Sequence, residues 1–317
     1  MMRVVFCGSG GFAVPSLKAI SADGHEVVAV ITQPPRKAGR GRKLRQTPVA
    51  TAAKELALSV TQCQDINAAQ MAAFLRGLGP DVICVADFGQ FIRSAVRGVA
   101  VLGAFNLHGS LLPELRGAAP VNWAIIRGCK RTGVTTFSLV DRMDAGGIYL
   151  QAGVEIDPGE TADQLRARLA NTGAGVVCET LTLLAGGNTQ TRDQDESLAT
   201  FAPRLTKADG AIDFSADAGT VRNLIHGSWC WPGGRAIVKR AARPDVSVVI
   251  ARAEATDDEP QGKPGCLDKD LMVATGRGRL RIVEIQPAGR RLMTWRDFVN
   301  GYRLSEGDHM VGPDVQG

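Results

Sequence analysis

Met2-Arg3-Val4-Val5-Phe6-Cys7-Gly8-Ser9-Gly10-Gly11-Phe12-Ala13 sets the frame for the whole chain. A short apolar run ends in clustered glycines. Behind them Leu17 and Ile20 fall at helical spacing before Gly24, which can end the helix. The pattern recurs. Glu26–Ile31, Val82–Ala86 and Ala104–Leu107 read as strands, with helical stretches around Thr51–Leu56 and Ala68–Leu78 between them. Buried apolar strands spaced by helices predict an α/β domain whose mostly parallel sheet is covered on both faces. Val134–Leu139 and Ile148–Val154 read as a late hairpin pair. Thr161 with Gln164 forms a capping box, and Leu165, Leu169, Val176 and Leu184 continue it as a long closing helix.

The composition then changes. The stretch Gly186 to Thr200, GGNTQTRDQDESLAT, is polar and aperiodic and reads as a linker. Beyond it short strands alternate with turn signals at Ala236–Lys239, Val246–Ala251, Leu271–Ala274 and Leu280–Ile285. That spacing predicts a small barrel or sandwich. The expected division is residues 1–187, a linker at 188–206, and a second domain at 207–317. With 44% hydrophobic and 22% charged residues, the chain can fill two cores and is not disordered. It has no run of 18 apolar residues, so no membrane span is expected. The apolar opening is expected to be a strand rather than a leader peptide. Seven cysteines without a C-x-x-C pair argue against disulfides and zinc, and point to a reducing cytoplasm.

The net charge of +5 is local in origin. From Lys207 onward 16 basic residues face 15 acidic ones, and the segment Arg36 to Arg45 alone carries six bases. The turn Gly8 to Ala13 matches the dinucleotide pattern G-x-G-x-x-A. That pattern also needs an acidic residue ending the second strand, and none occurs from Val27 to Lys54. Nicotinamide binding is therefore not expected. Two readings stay open: a turn that needs glycine for positive φ, or one that abuts a substrate above the sheet edge.

The richest segment is Phe105-Asn106-Leu107-His108-Gly109-Ser110-Leu111-Leu112-Pro113. Side chains alternate along a strand, so Asn106 and His108 share one face and Phe105 and Leu107 the other. An amide and an imidazole at the end of a parallel strand suit polarising a carbonyl and moving a proton. The bland alternative is a satisfied core histidine. Such a histidine usually needs a carboxylate beside it. Asp141 and Asp144 stand on the next plausible turn, and spacing does not choose between them.

His108-Gly109-Ser110-Leu111-Leu112-Pro113, Arg116-Gly117-Ala118-Ala119-Pro120 and Asp141 to Gly146 resemble the formyltransferase family that uses 10-formyltetrahydrofolate. Thr32-Gln33-Pro34 followed by Ala38-Gly39-Arg40-Gly41-Arg42-Lys43-Leu44 is similar to the branch that acts on methionyl-tRNA. Pro203 to Phe214 and Gln286 to Gly289 extend the similarity into the second domain. The resemblance implies a Rossmann-like domain followed by an OB-like β-barrel that helps to hold tRNA. It implies Asn106, His108 and Asp144 as the catalytic trio. Ser110, Leu111, Leu112 and Pro113 would form a folate-contacting turn, with Phe88, Gln90 and Asp141 as further folate contacts. The formyl donor would be 10-formyltetrahydrofolate and the acceptor initiator methionyl-tRNA, with no metal and no protein partner. Three departures stand out: Pro35 and Arg36 where the family often has Asp, Ala86 to Ile92 in place of a Tyr-Gly loop, and Gly147 where a second acid often follows.

Six cations in ten residues repel one another unless an anion is present. Arg36, Lys37, Arg40, Arg42, Lys43 and Arg45 are therefore read as a polyanion contact, which the resemblance implies is tRNA phosphate, against the simpler reading of a solvated loop. Formyl transfer to an amino sugar nucleotide, or tRNA binding without catalysis, are the competing functions. A glycinamide ribonucleotide formyltransferase would be expected to end after the first domain.

Overall fold

The computed structural model describes residues 1–38, 43–241 and 243–313. In chain order its elements are β1 (Arg3–Gly8), α1 (Val14–Ala22), β2 (Glu26–Thr32), β3 (Arg36–Ala38), β4 (Lys43–Arg45), α2 (Pro48–Glu55), β5 (Val60–Gln62), α3 (Ala69–Gly77), β6 (Val82–Ala86), α4 (Ser94–Arg97), β7 (Ala104–His108), α5 (Pro120–Ile126), β8 (Arg131–Ser138), β9 (Ile148–Glu155) and α6 (Ala162–Ala185). There follow α7 (Ala218–Ser228), β10 (Gly234–Arg240), β11 (Arg243–Thr256), β12 (Val273–Ala274), β13 (Arg279–Pro287), β14 (Met293–Thr294), α8 (Trp295–Tyr302) and β15 (His309–Val311). The chain forms two compact units. The first comprises Met1–Pro120, Thr132–Val154 and Arg166–Ala202, and the second Val121–Arg131, Glu155–Leu165 and Pro203–Gly317.

The seven-stranded sheet runs β5-β2-β1-β6-β7-β8-β9. Its first five strands are parallel, and β8 pairs antiparallel with β7. The order reverses between β1 and β6, which makes a switch point at the carboxyl edge. The Val82–Ala86 strand is buried at every position, as expected for a strand covered on both faces. Val5, Ile31, Leu75, Ile83 and Val96 share one apolar cluster. The Thr161 capping box forms, with Gln164 Oε1 accepting from the Thr161 backbone N–H at 3.0 Å.

The glycine turn takes neither positive φ nor a pyrophosphate shape. Gly8, Gly10 and Gly11 are absent from the positive-φ residues. The N–H groups of Ser9 and Gly10 donate to the Asp87 carbonyl at 3.0 and 3.1 Å, so the amides that would cradle a phosphate are already engaged. A Cβ on Gly10 would overlap the Asp87 carboxylate. Gly8 and Gly10 serve close approach between the ends of β1 and β6.

The second unit holds β12-β13-β11-β10-β15, all antiparallel, with β14 on β13. Cys266 bridges His309 of β15 while Leu267 bridges Val273 of β12, so two residues nearly close the sheet into a barrel. Val221, Ile225, Val238, Ile250, Leu280, Ile285 and Phe298 fill it. The helices α7 and α8 were not expected from the sequence. Both are short, and each is started by a side-chain cap: Asp217 accepts from Thr220 N and Thr294 from Asp297 N.

The polar stretch expected as a linker divides at Ala202. Up to that point it belongs to the first unit, where Arg192 bridges Ile148 and Phe201 bridges Arg116. Backbone pairing and side-chain hydrogen bonds order it, and neither leaves an apolar period in the sequence. Among the described residues no helix is long and apolar enough to cross a membrane.

Candidate active site

Strand β7 delivers Asn106 and His108 to the carboxyl edge on one face. Leu107 points the other way, into the space left by Gly173 of α6. Asn106 is half-buried, and its side-chain amide makes no hydrogen bond among the described residues. His108 is 5% exposed. Its Nε2 lies 3.0 Å from the Leu115 carbonyl oxygen. A carbonyl only accepts, so Nε2 carries the hydrogen. The imidazole edge also meets Phe137, with ring centroids 6.3 Å apart at 87°. That leaves Nδ1, which faces Asp144 Oδ2 across 3.8 Å. The gap is too long for a direct hydrogen bond and short enough for strong charge interaction whenever the ring carries a second proton.

Asp144 rather than Asp141 is the carboxylate beside the imidazole. It sits at φ +52 and its Oδ2 accepts from the Gly117 N–H at 2.8 Å. Asp141 is 78% exposed in its side chain and pairs with Arg97 at 2.8 Å. Glycines 146 and 147 are required by contact: a Cβ on Gly146 would meet the Ser138 carbonyl and one on Gly147 the Thr191 hydroxyl. The position where the family often carries an acid is here closed against Thr191.

The Ser110 to Pro113 turn is built on Thr135, which stands opposite His108 across β7 and β8. Its hydroxyl donates to the Ser110 carbonyl at 2.7 Å and accepts from Leu112 N at 3.1 Å and Gln151 Nε2 at 3.0 Å. Gln151 also donates to the Leu112 carbonyl at 2.9 Å. Ser110 and Leu112 are buried, and Ser110 Oγ donates to the Glu114 carbonyl. Leu111 and Pro113 are half-buried. The turn thus presents Leu111 and Pro113 and uses the other two residues as anchors. Neither Thr135 nor Gln151 was singled out from the sequence. A polar residue inside an apolar strand was the available signal.

The side chains of Phe88 and Gln90, expected as folate contacts, have partners within the first unit. The Phe88 ring is 3% exposed and belongs to the apolar core. Gln90 Oε1 accepts from Ile66 N at 2.9 Å and its Nε2 donates to the Cys63 carbonyl at 3.2 Å. Asp141, the third expected folate contact, pairs with Arg97.

Of the basic segment, Arg36–Ala38 and Lys43–Arg45 pair as an antiparallel hairpin, with Arg36 opposite Arg45. Arg40 and Arg42 lie outside the described residues. The hairpin leaves the end of β2, where Ser9 Oγ accepts from Gln33 N at 3.1 Å. Gln33 also accepts from Arg36 and donates to the Phe88 carbonyl at 2.8 Å. Three strand spacings separate β2 from β7, so the hairpin base lies about 14 Å along the same sheet edge as Asn106.

Residues 2–181 match the formyl transferase domain and residues 204–303 the formyl transferase C-terminal domain. The chain belongs to the formyl transferase family. The methionyl-tRNA formyltransferase of Solibacter usitatus is 40% identical over 315 residues, covering 98% of both chains. That of Thermotoga maritima is 38% identical, covering 96% of this chain and 97% of the relative. Among solved structures, the N-formyltransferase from Helicobacter canadensis, crystallised with folinic acid and dTDP-3-aminofucose, superposes with a TM-score of 0.65. It is 16% identical and covers 90% of this chain and all of its own. At that identity the likeness bears on the formyl transferase fold alone.

Proposed function

We propose that this chain transfers the formyl group of 10-formyltetrahydrofolate to the α-amino group of methionine on initiator methionyl-tRNA. The observation that carries the reading is a free amide, Asn106, beside the His108–Asp144 couple at one strand end. The full-length similarity to methionyl-tRNA formyltransferases supports the acceptor.

The neutral amine attacks the formyl carbon, and the carbonyl electron pair moves to oxygen. Asn106 Nδ2 donates to that oxyanion, a contact typically worth about 3 kcal/mol of barrier. His108 Nε2–H is already engaged by Leu115, so the oxyanion falls to Asn106 rather than to both side chains. His108 Nδ1 takes the proton released by the attacking nitrogen. The imidazolium then has Asp144 on one side and the Leu115 carbonyl on the other. Transfer of that proton to N10 breaks the C–N10 bond and releases tetrahydrofolate and formylmethionyl-tRNA. No step needs a metal. Among the described residues no group of His, Cys, Asp and Glu side chains is arranged to hold one.

Folate would lie along the Ser110 to Pro113 turn, against Leu111 and Pro113. The loop at Phe88 and Gln90 would contribute main chain rather than side chains. The catalytic work belongs to the first domain, and the barrel from residue 207 assists with tRNA. Gln286 to Gly289, where the similarity extends into the second domain, line a cleft of about 440 Å³ on the barrel together with Arg235. Like charges opposite one another in a hairpin are unfavourable. Arg36 facing Arg45 therefore favours a polyanion at the hairpin, with Lys37 and Lys43 on the same two strands.

The test is direct. The protein is incubated with 10-formyltetrahydrofolate and either charged initiator tRNA or free amino sugars and amino sugar nucleotides. Formylation of methionyl-tRNA is expected. Transfer to the sugars alone would refute the acceptor, and binding of tRNA without any transfer would refute the enzyme.

A further inference from the structure

Arg116 stands between the two backbone groups that touch the catalytic couple. Leu115, before it, supplies the carbonyl that accepts from His108, and Gly117, after it, the N–H that donates to Asp144. Its own side chain is 3% exposed. It donates from Nη1 and Nη2 to both carboxylate oxygens of Glu196, at 3.0 and 2.9 Å. It also donates from Nε and Nη2 to Gln194 Oε1, at 3.0 and 2.7 Å. Gln194 turns its other end to the opposite loop. Its Nε2 donates to the carbonyls of Asp144, at 2.8 Å, and Gly146, at 2.7 Å. Glu196 accepts in addition from Arg142, two residues before Asp144.

We propose that Arg116, Gln194 and Glu196 form a positioning network that sets the distance between Asp144 and His108, and that residues 188–202 are thereby part of the catalytic apparatus. The proposal rests on the assignment of Asp144 and His108 given above.

The two loops are far apart in sequence, and each carries one side of the His108–Asp144 geometry. The Gly117 N–H on Asp144 joins them directly. Gln194 spans them, and one amide satisfies both sides because its oxygen accepts only from Arg116 while its nitrogen donates only to loop carbonyls. Asp144 occupies the left-handed region at φ +52, a conformation open to Asp in turns. Two hydrogen bonds from Gln194 to the carbonyls of Asp144 and Gly146 hold the turn in place. The far end is anchored by a bidentate ion pair. The hydrogen bonds of Arg116, then that of Arg142, hold the Glu196 carboxyl well below its ordinary value, at about 2. The segment is pinned again at Thr200, whose hydroxyl accepts from Leu115 N at 2.8 Å and whose carbonyl accepts from Arg116 N at 2.8 Å.

The network touches no substrate, so its effect must pass through Asp144. Gln194→Met keeps the size of the side chain and removes its donor and acceptor. With full-length protein, kcat is expected to fall about 10- to 100-fold, the scale of a misplacement near 1 Å, with KM for both substrates within about threefold. The loss should vanish in an Asp144→Asn background, because the residue being positioned no longer carries the charge. Glu196→Gln keeps one acceptor for Arg116 and should lose about three- to tenfold in kcat, by the same route. It serves as the second variant if Gln194→Met does not fold. Losses that multiply with Asp144→Asn, or a change in KM alone, would overturn the network while leaving the catalytic couple intact. Full activity of Asp144→Asn itself would remove the couple and the network with it.

Discussion

Asn106→Ala isolates one claim: that this amide works only in the transition state. In the resting protein Asn106 is half-buried and unpaired among the described residues, so its removal breaks no hydrogen bond and strands no partner. The stability cost should stay near 0.5 kcal/mol, or roughly 1 to 2 °C in Tm for a unit of this size. The catalytic cost should be that of an oxyanion donor, about 3 kcal/mol, which is a 100- to 1000-fold loss in kcat with KM little changed. Asn122 is the internal control. It is buried, and its Nδ2 donates to the Gly227 carbonyl at 2.7 Å. Asn122→Ala leaves that carbonyl unpaired and should cost about 1 to 3 kcal/mol of stability without touching the chemistry of the folded fraction. Calorimetry and single-turnover formylation of charged initiator tRNA read the two quantities separately. A Tm loss of several degrees in Asn106→Ala, or kcat within tenfold of the parent, would show that the amide is structural and the oxyanion assignment mistaken.

His226 should shape the acid limb of stability. Its Nε2 accepts from Ala253 N at 3.2 Å, and burial, then the charges of Arg222 and Arg252, depress its pKa from 6.5 to about 4. A depressed folded value means the unfolded chain takes up the proton first. The stabilisation is therefore complete above about pH 6.5, declines as pH falls, and is exhausted below about 4, a loss on the order of 3 kcal/mol. His226→Gln should flatten urea midpoints across that window, and an unchanged slope would contradict it. At the basic hairpin, Lys43→Ala and Arg45→Ala should each weaken tRNA binding and flatten log K against log salt by about one unit or less. Equal slopes in parent and variants would leave the hairpin a solvated surface feature. Deleting residues after Pro203 should give a poorly soluble fragment. Val121 and Ile125 of α5 are buried within the second unit, where Ile126 lies against Gly227 and Trp123 Nε1 donates to the Pro203 carbonyl at 2.8 Å. A monodisperse fragment in size-exclusion chromatography would count against that packing.

Apolar period and residue identity alone established the alternating α/β order and the exit of Asn106 and His108 on one face, because a strand's side-chain period is two and its burial is written in valine and isoleucine. The absence of an acid after β2 was enough to turn the glycine pattern away from a dinucleotide. Polar contacts were not legible in this way. Whether the carboxylate beside His108 was Asp141 or Asp144 depended on which turn residue lay under Gly117 and which was taken by Arg97. Nor did the sequence show that Phe88 packs in the core and Gln90 bridges the Cys63–Ile66 turn. The stretch 188–202 carries no hydrophobic period because its order comes from Gln194, Glu196 and Thr200 bonding to loops 50 to 85 residues away. A hydrogen-bond partner that distant leaves no local mark in a sequence. Burial is a property of a residue's own chemistry and can be read one position at a time, whereas a polar contact belongs to two positions that only folding brings together.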